Sequence, residues 1–532
     1  MTKFQKALTF NALIIAIASL ASRALGLFRD RVLASEFGAG NILDSYYAAF
    51  RIPDLLFNLL ILGALSAAFI PIFTEYITRG DKKNGWRLIN SVINIAIIVL
   101  LGIGVVVFIA SPYLLRLITP GFDQARLSLA INFTRIMLLS PIFLGVSSII
   151  GGALNSFGRF FVFSIAPIFY NIGIIFGAIF LVPIMGPVGL AWGVVIGAAL
   201  HLLVQLPVLI YLGYRWQPSF EFRHPDLIRI FMLMTPVTFG LAISQLSLFV
   251  DTIIGSTLKI GSIAVINFAN NLASLPIGLI GISFALSAFP IMARAASLAD
   301  EEEFASSLNF SFRQIIYFII PASVCLLVFR AQIVRLVLGA GLFSWRDTIL
   351  TSRVLGYFAF GLFAQALIPL VVRAFYALKD SKTPVKISLF SLTINIIGSL
   401  TLPHFFGVVG LAMAMSLAVT INITLLLFSL SSKISRFSIL PLIWPTSKII
   451  MVAAVSGLIG YFALFAFEPL VNTLTFVGLL FQTIAAVVLM GIVYLVLSLL
   501  FKFEELRIFI PRDLKKVLKK LFIRPAKQGS SL

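Results

Sequence analysis

The fold class this sequence predicts is an all-helical integral membrane protein with fourteen transmembrane helices: two parallel six-helix repeats around a central cavity, plus two extra helices. Three observations carry that prediction. Of the 532 residues, 60% are hydrophobic and only 11% charged, with 51 Phe and a mean hydropathy of +1.08, a composition that soluble globular domains do not reach. Apolar runs of about 20 residues, the length of a helix that crosses a ~30 Å hydrocarbon core, recur from end to end. The chain also matches itself at a fixed spacing: Phe28, Asp30 and Ser35 return 221 residues on as Phe249, Asp251 and Ser256.

An open strand cannot satisfy its backbone in lipid, so each apolar run is read as a helix. The runs centre on Ile17, Leu59, Ile98, Leu144, Ile174, Leu200, Leu241, Ile280, Ile320, Phe363, Ile394, Val419, Ala454 and Val488. An even number puts both termini on one side. Placing them in the cytoplasm assigns 28 of the 40 Lys and Arg to the inner face, as the positive-inside rule requires. The net charge of +20 then gathers in short loops and a tail facing anionic lipids, and calls for no nucleic acid.

The first span opens with Lys3 and Lys6 and carries small residues at Ala16, Ala18 and Ala21. That imitates a cleavable signal peptide, but the run continues to Arg23 and Arg29, so it is expected to remain as one helix. The second span holds Pro53, Gly63 and Pro71, and its repeat mate holds Pro276, Gly278, Gly281 and Pro290. Breaks at matching places suit halves that rock. Ala64-Leu65-Ser66-Ala67 recurs as Ala285-Leu286-Ser287-Ala288, and Gly189-Leu190-Ala191 as Gly410-Leu411-Ala412. These matches divide the chain into halves at 1–215 and 216–432, two additional helices at 433–501 and a basic tail at 502–532. In the tail, Leu514, Val517, Leu518 and Leu521 share one helical face while Lys515, Lys516, Lys519 and Lys520 share the other, the pattern of an interfacial helix. Cys325, the single cysteine, sits in an apolar run and reads as packing.

Charge inside the spans is concentrated at Arg23, Arg29, Asp30, Asp44 and Arg51. A charge at bilayer depth costs roughly 2.5–3.5 kcal/mol, so such groups face a watery cavity or a partner. Arg23 lies about a dozen residues into its span, ~18 Å deep at 1.5 Å per residue. Asp30 follows it two turns later, and Asp44 and Arg51 are likewise two turns apart. The expected lining is mostly cationic and the expected ligand anionic, because guanidinium forks onto phosphate oxygens in a bidentate way. A pyrophosphate group fits. Asp251, the mate of Asp30, and more weakly Asp380, in Lys379-Asp380-Ser381-Lys382, have the hard-oxygen chemistry for Na⁺ or a proton; the alternative is a structural hydrogen-bonded role for Asp251 and a merely solvated loop for Asp380. No HExxH, Walker A, GxSxG or CxxC pattern occurs, and His201, His224 and His404 lack metal-ligand spacing. The chain reads as no enzyme and needs no cofactor; an ion gradient, the membrane potential or the substrate's own gradient would drive it.

Ser22-Arg23-Ala24-Leu25-Gly26-Leu27-Phe28-Arg29-Asp30, then Phe37-Gly38-Ala39-Gly40, Asp44, Ala49-Phe50-Arg51-Ile52-Pro53 and Ala68-Phe69-Ile70-Pro71, together resemble the MurJ (MviN) family of lipid II flippases. Phe375-Tyr376-Ala377-Leu378-Lys379-Asp380 and Lys382-Thr383-Pro384-Val385-Lys386 extend the likeness. The resemblance implies the multidrug/oligosaccharidyl-lipid/polysaccharide (MOP) exporter superfamily, fourteen helices, and movement of lipid-linked peptidoglycan precursor from the inner to the outer leaflet. It also implies essential roles for Arg23 and Arg29 with Asp30 beside them, an acidic role for Asp44, and a sodium site that includes Asp251. The chain departs from the family at Phe57 and Asn58, where paired arginines are expected, at Leu62 for a glutamate and at Asn271 for an arginine. Arg51 stands where the family has a lysine.

The resulting expectation is a lipid II flippase of the bacterial cytoplasmic membrane, multi-pass and monomeric, with both termini cytoplasmic and anionic lipids at its basic loops. The alternatives are a flippase for another polyprenyl diphosphate-linked glycan, a cation-coupled multidrug exporter, which would need an acidic cavity, and a non-transporting membrane scaffold, which would tolerate loss of the charges.

Overall fold

The computed structural model describes residues 3–59, 69–219 and 225–508. Leu62, Gly63, the Ala64-Leu65-Ser66-Ala67 repeat and the expected interfacial helix lie outside the described residues.

Helices follow one another with short connections: α1 (Lys3–Phe37), α2 (Asn41–Phe57), α3 (Ile70–Thr78), α4 (Lys82–Ile118), α5 (Gln124–Met137), α6 (Ser140–Ser156), α7 (Phe160–Phe176), α8 (Val182–Met185), α9 (Val188–Leu203) and α10 (Leu206–Tyr211). Then come α11 (Pro225–Thr257), α12 (Ser262–Pro276), α13 (Ile282–Ser297), α14 (Glu301–Val328), α15 (Arg330–Leu338), α16 (Trp345–Ala377), α17 (Lys382–Phe406), α18 (Val408–Ser431), α19 (Leu440–Phe467) and α20 (Phe476–Leu500). Eleven segments among the described residues are long and apolar enough to cross a membrane. The three remaining expected centres lie in α1, in α11 and at Leu59, the last described residue after α2, so every one of the fourteen sequence-derived centres has helical backbone.

The breaks fall where proline and glycine predict them. Pro276 ends α12 and is followed by a π-helical turn, Ile277–Gly281, and Asn58 and Leu59 leave the α-helical pattern beyond Pro53. Proline removes an intrahelical donor, and the local ladder widens to accommodate the loss.

The chain forms two compact units. The first comprises residues 1–275, 330–361 and 382–422. Its helices approach closely where side chains vanish: a Cβ on Gly173 of α7 would lie 2.2 Å from the Gly197 Cα of α9, so only glycine permits that packing. One apolar cluster in it stacks Phe69 on Phe73, centroids 5.5 Å apart, and includes Leu88, Ile149 and Leu154. The segment after α10 is strapped to α4: Asn94 Nδ2 donates to the Gln217 and Ser219 carbonyls, both at 2.9 Å, and Trp216 Nε1 donates to Asn94 Oδ1 at 3.0 Å. The second unit comprises 276–329, 362–381 and 423–532. In it α20 packs on α19 and α19 on α14, and the Tyr494 hydroxyl donates to the Tyr317 carbonyl at 2.8 Å.

Candidate substrate-binding cluster in the first unit

Arg29 and Asp30 end the polar stretch of α1 beside α7. Arg29 donates to Asp30 Oδ1 through Nε (3.1 Å) and Nη2 (2.8 Å), and through Nη1 to Asn171 Oδ1 at 3.1 Å. The Asn171 amide is oriented for this: its Nδ2 donates to the Pro167 carbonyl one turn back, whose own helical partner would be this residue's backbone. The second oxygen of Asp30 accepts from Asn271 Nδ2 at 2.8 Å. Asp30 is thus 2% exposed with both oxygens occupied. At the position where the family resemblance expects an arginine, Asn271 still engages the carboxylate, through an amide rather than a charge.

A second node forms around Arg51 on α2. Its Nε donates to Thr252 Oγ1 at 2.7 Å and its Nη2 to Asn267 Oδ1 at 3.2 Å. Asn267 is aimed by the same device, Nδ2 to the Ile263 carbonyl at 2.7 Å. The carboxylates of Asp54 and Asp251 attract Arg51 electrostatically. Asp251 is 6% exposed, and its Oδ1 has no hydrogen-bond partner among the described residues. Tyr47, on the same helix as Arg51, lies in the fields of Asp30, Arg29 and Arg51.

Acidic groups stand among the cations: Arg29 is ion-paired with Asp30, and Arg51 lies in the fields of Asp54 and Asp251. Low dielectric explains the arrangement, since an unpaired guanidinium held away from water would be strongly unfavourable. Arg23 is half-buried and makes no hydrogen bond or ion pair among the described residues.

Asp44 acts on backbone. Its Oδ2 accepts from the Gly261 N–H at 2.6 Å and its Oδ1 from the Ala264 N–H at 2.9 Å, capping the start of α12. Gly261 itself has φ +90, and a Cβ there would fall 2.2 Å from the Ala39 carbonyl oxygen, so the α11–α12 connection presses directly on the α1–α2 turn. The Leu342 N–H donates to the Ser35 carbonyl at 2.8 Å, and Arg31 Nη1 caps the last carbonyls of α15, reaching Leu336 O at 2.6 Å. Asp380 lies in the second unit, where it accepts from Lys433 Nζ.

Arg29, Asp30 and Arg51 are thus joined to a set that the sequence reading did not name: Asp54, Tyr47, Asn171, Thr252 and Asn267. The rule that singles out Asp251, an acid inside an apolar run, applies equally to Asp54. The amides carry no such signal.

Comparison with known proteins agrees with this architecture. The family described as "Lipid II flippase MurJ" matches residues 33–482. The "Probable lipid II flippase MurJ" of Buchnera aphidicola subsp. Schizaphis graminum is 33% identical over 79% of this chain and 82% of its own length. "Lipid II flippase MurJ" of Burkholderia cenocepacia is 30% identical over 80% and 84%. Among solved structures, a lipid II flippase MurJ in an inward closed conformation superposes with a TM-score of 0.76 at 26% identity, covering 94% of this chain and all of that one. An inward-facing multidrug resistance MATE family transporter of the MOP superfamily shares the fold, with a TM-score of 0.68 at 16% identity over 80% of this chain and 98% of its own. The multi-pass helical fold, the matched span and the relatives at this identity together establish that this chain belongs to the MurJ family of lipid II flippases, transporters rather than enzymes.

Proposed function

We propose that this protein carries lipid II from the inner to the outer leaflet of the bacterial cytoplasmic membrane by alternating access. The polar head crosses through the charged cluster while the polyprenyl tail stays in lipid. The halves at 1–215 and 216–432 rock against each other; 433–501 and the tail from 502 are additions, and both termini are cytoplasmic. One observation supports the substrate class above others: Arg29 is half-buried beside Asp30, and three hydrogen bonds leave two of its five N–H groups uncommitted. A diphosphate accepts such donors while Asp30 keeps the two it holds. Arg23, which has no partner among the described residues, supplies the first contact, and Arg51, on α2, a second cation. Asp44 contributes by holding α12 in place.

Asp251, whose Oδ1 has no partner among the described residues, is the proposed site for a coupling Na⁺ or proton; Asp380, paired with Lys433, is the lesser one. Either gradient, or the membrane potential, would reset the cycle. The basic loops bind anionic lipid, and the chain acts as a monomer.

Arg23→Glu is expected to abolish flipping while membrane insertion stays intact; full activity in a flipping assay would defeat the proposal. Depletion in the host is expected to make labelled lipid II accumulate in the inner leaflet. A second reading, transport of another polyprenyl diphosphate-linked glycan, is favoured by the neutral residues Phe57, Asn58 and Asn271, and competition between lipid-linked glycans would separate the two.

A further inference from the structure

The second unit contains a cavity of about 470 Å³ between the start of α14, residue Arg436 in the connection before α19, and the 3₁₀ turn Glu504–Ile508 that follows α20. All three are helix-end or connecting segments, so the cavity lies at a membrane boundary, on the side that the positive-inside count places in the cytoplasm.

Its polar lining is not internally satisfied. Arg313 donates from Nε to Glu505 Oε1 at 2.6 Å and from Nη1 to Glu504 Oε2 at 2.8 Å. One guanidinium thus serves two carboxylates, and Glu505 is only 3% exposed. Gln314, a residue 2% exposed, and Asn309 are also lining residues, and the buried Oε1 of the one and Oδ1 of the other have no hydrogen-bond partner among the described residues. Buried acceptors left unpaired are unfavourable unless something donates to them. Across the cavity Arg436 is exposed and makes no ion pair among the described residues. Phe310, 49% exposed, forms the wall on the apolar side.

The lining holds three carboxylates, Glu302, Glu504 and Glu505, against Arg313 and Arg436, and this surplus of acceptors and negative charge calls for a cationic donor of several N–H groups. An unpaired guanidinium at the other end calls for an anion, and an exposed phenyl wall calls for hydrocarbon. We propose that this cavity binds the headgroup of an ethanolamine phospholipid, its ammonium on Asn309, Gln314 and the Glu504–Glu505 pair and its phosphate on Arg436. A primary ammonium carries three donors, whereas a trimethylammonium carries none, so the site discriminates by N–H count rather than by charge. Bound there, the lipid ties α14 to the end of α20.

Native mass spectrometry of the full-length protein in detergent, titrated with dioleoyl phosphatidylethanolamine, phosphatidylcholine and phosphatidylglycerol, tests this. The expected result is one ethanolamine lipid retained at least tenfold more tightly than either of the others. Asn309→Leu with Gln314→Leu is expected to bring it down to the choline level. Arg436→Gln, a surface change that leaves the fold unstressed, is expected to weaken it several-fold. Equal retention of the choline lipid, or ethanolamine binding unchanged in both variants, would overturn the proposal. Soluble phosphoethanolamine titrated alone distinguishes the source: failure to bind in the lipid's concentration range supports a lipid site, and equal binding would overturn it.

Discussion

Asp44→Asn tests how the α1–α2 turn is held against α12. In the wild type, Asp44 accepts two backbone N–H groups, at 2.6 and 2.9 Å, while only 2% exposed. The amide keeps one acceptor but turns its NH₂ toward the other backbone N–H. One charge-assisted bond worth roughly 1.5–3 kcal/mol is lost and a buried donor is left unpaired, and the favourable meeting of a carboxylate with the helix N-terminus, about 0.3–1 kcal/mol, goes with it. A total of about 3 kcal/mol shifts a two-state equilibrium roughly a hundredfold. If the joined arrangement outweighs the separated one by about that factor, the variant populates both. Spin labels at Asn41→Cys and Lys259→Cys, both exposed positions, in a Cys325→Ser background would report the distance by pulsed electron resonance. A single short distance is expected in the parent and a substantial longer population in the variant. An unchanged distribution would refute the view that Asp44 holds these segments together.

Other perturbations follow from the same geometry. Asn271→Leu removes the donor to Asp30 Oδ2 and leaves a buried carboxylate oxygen unpaired at a cost of about 1–3 kcal/mol; flipping should fall at least tenfold with normal membrane levels, and unchanged flux would remove Asn271 from the cluster. Arg29→Lys keeps the charge but cannot reach Asp30 and Asn171 together, so transport should drop without loss of thermal stability beyond a few degrees, as followed by thermal-shift fluorimetry. Gly261→Ala places a methyl 2.2 Å from the Ala39 oxygen at φ +90; strain of about 1–3 kcal/mol should lower the unfolding temperature by several degrees, read in the same assay. Asn94→Ala releases three hydrogen bonds to the 216–219 segment, and hydrogen exchange there should accelerate roughly tenfold or more at about 0.5–1.5 kcal/mol per bond.

How far the sequence reaches differs sharply between spans and site. Every span centre from Ile17 to Val488 has helical backbone because crossing a membrane is a local requirement of length and apolarity, written into contiguous residues. The helix breaks at Pro276 and beyond Pro53 are local for the same reason, and the motif from Ser22 to Asp30 was enough to suggest the family. Arg29, Asp30, Arg51 and Asp251 were equally legible, since a charge inside an apolar run is conspicuous at any position. What each charge meets was not. Arg29 finds Asn171 across 142 residues, Arg51 finds Asn267 across 216, and Asp30 finds Asn271 across 241. An asparagine in a membrane helix has no periodicity and little cost of its own, so nothing in the chain marks it until packing brings it within reach of a charge. Composition and order thus determined that this protein spans the membrane and carries buried charge, while only the tertiary structure decided which partners those charges meet, because electrostatic interaction in a low-dielectric interior depends on distance in space rather than along the chain.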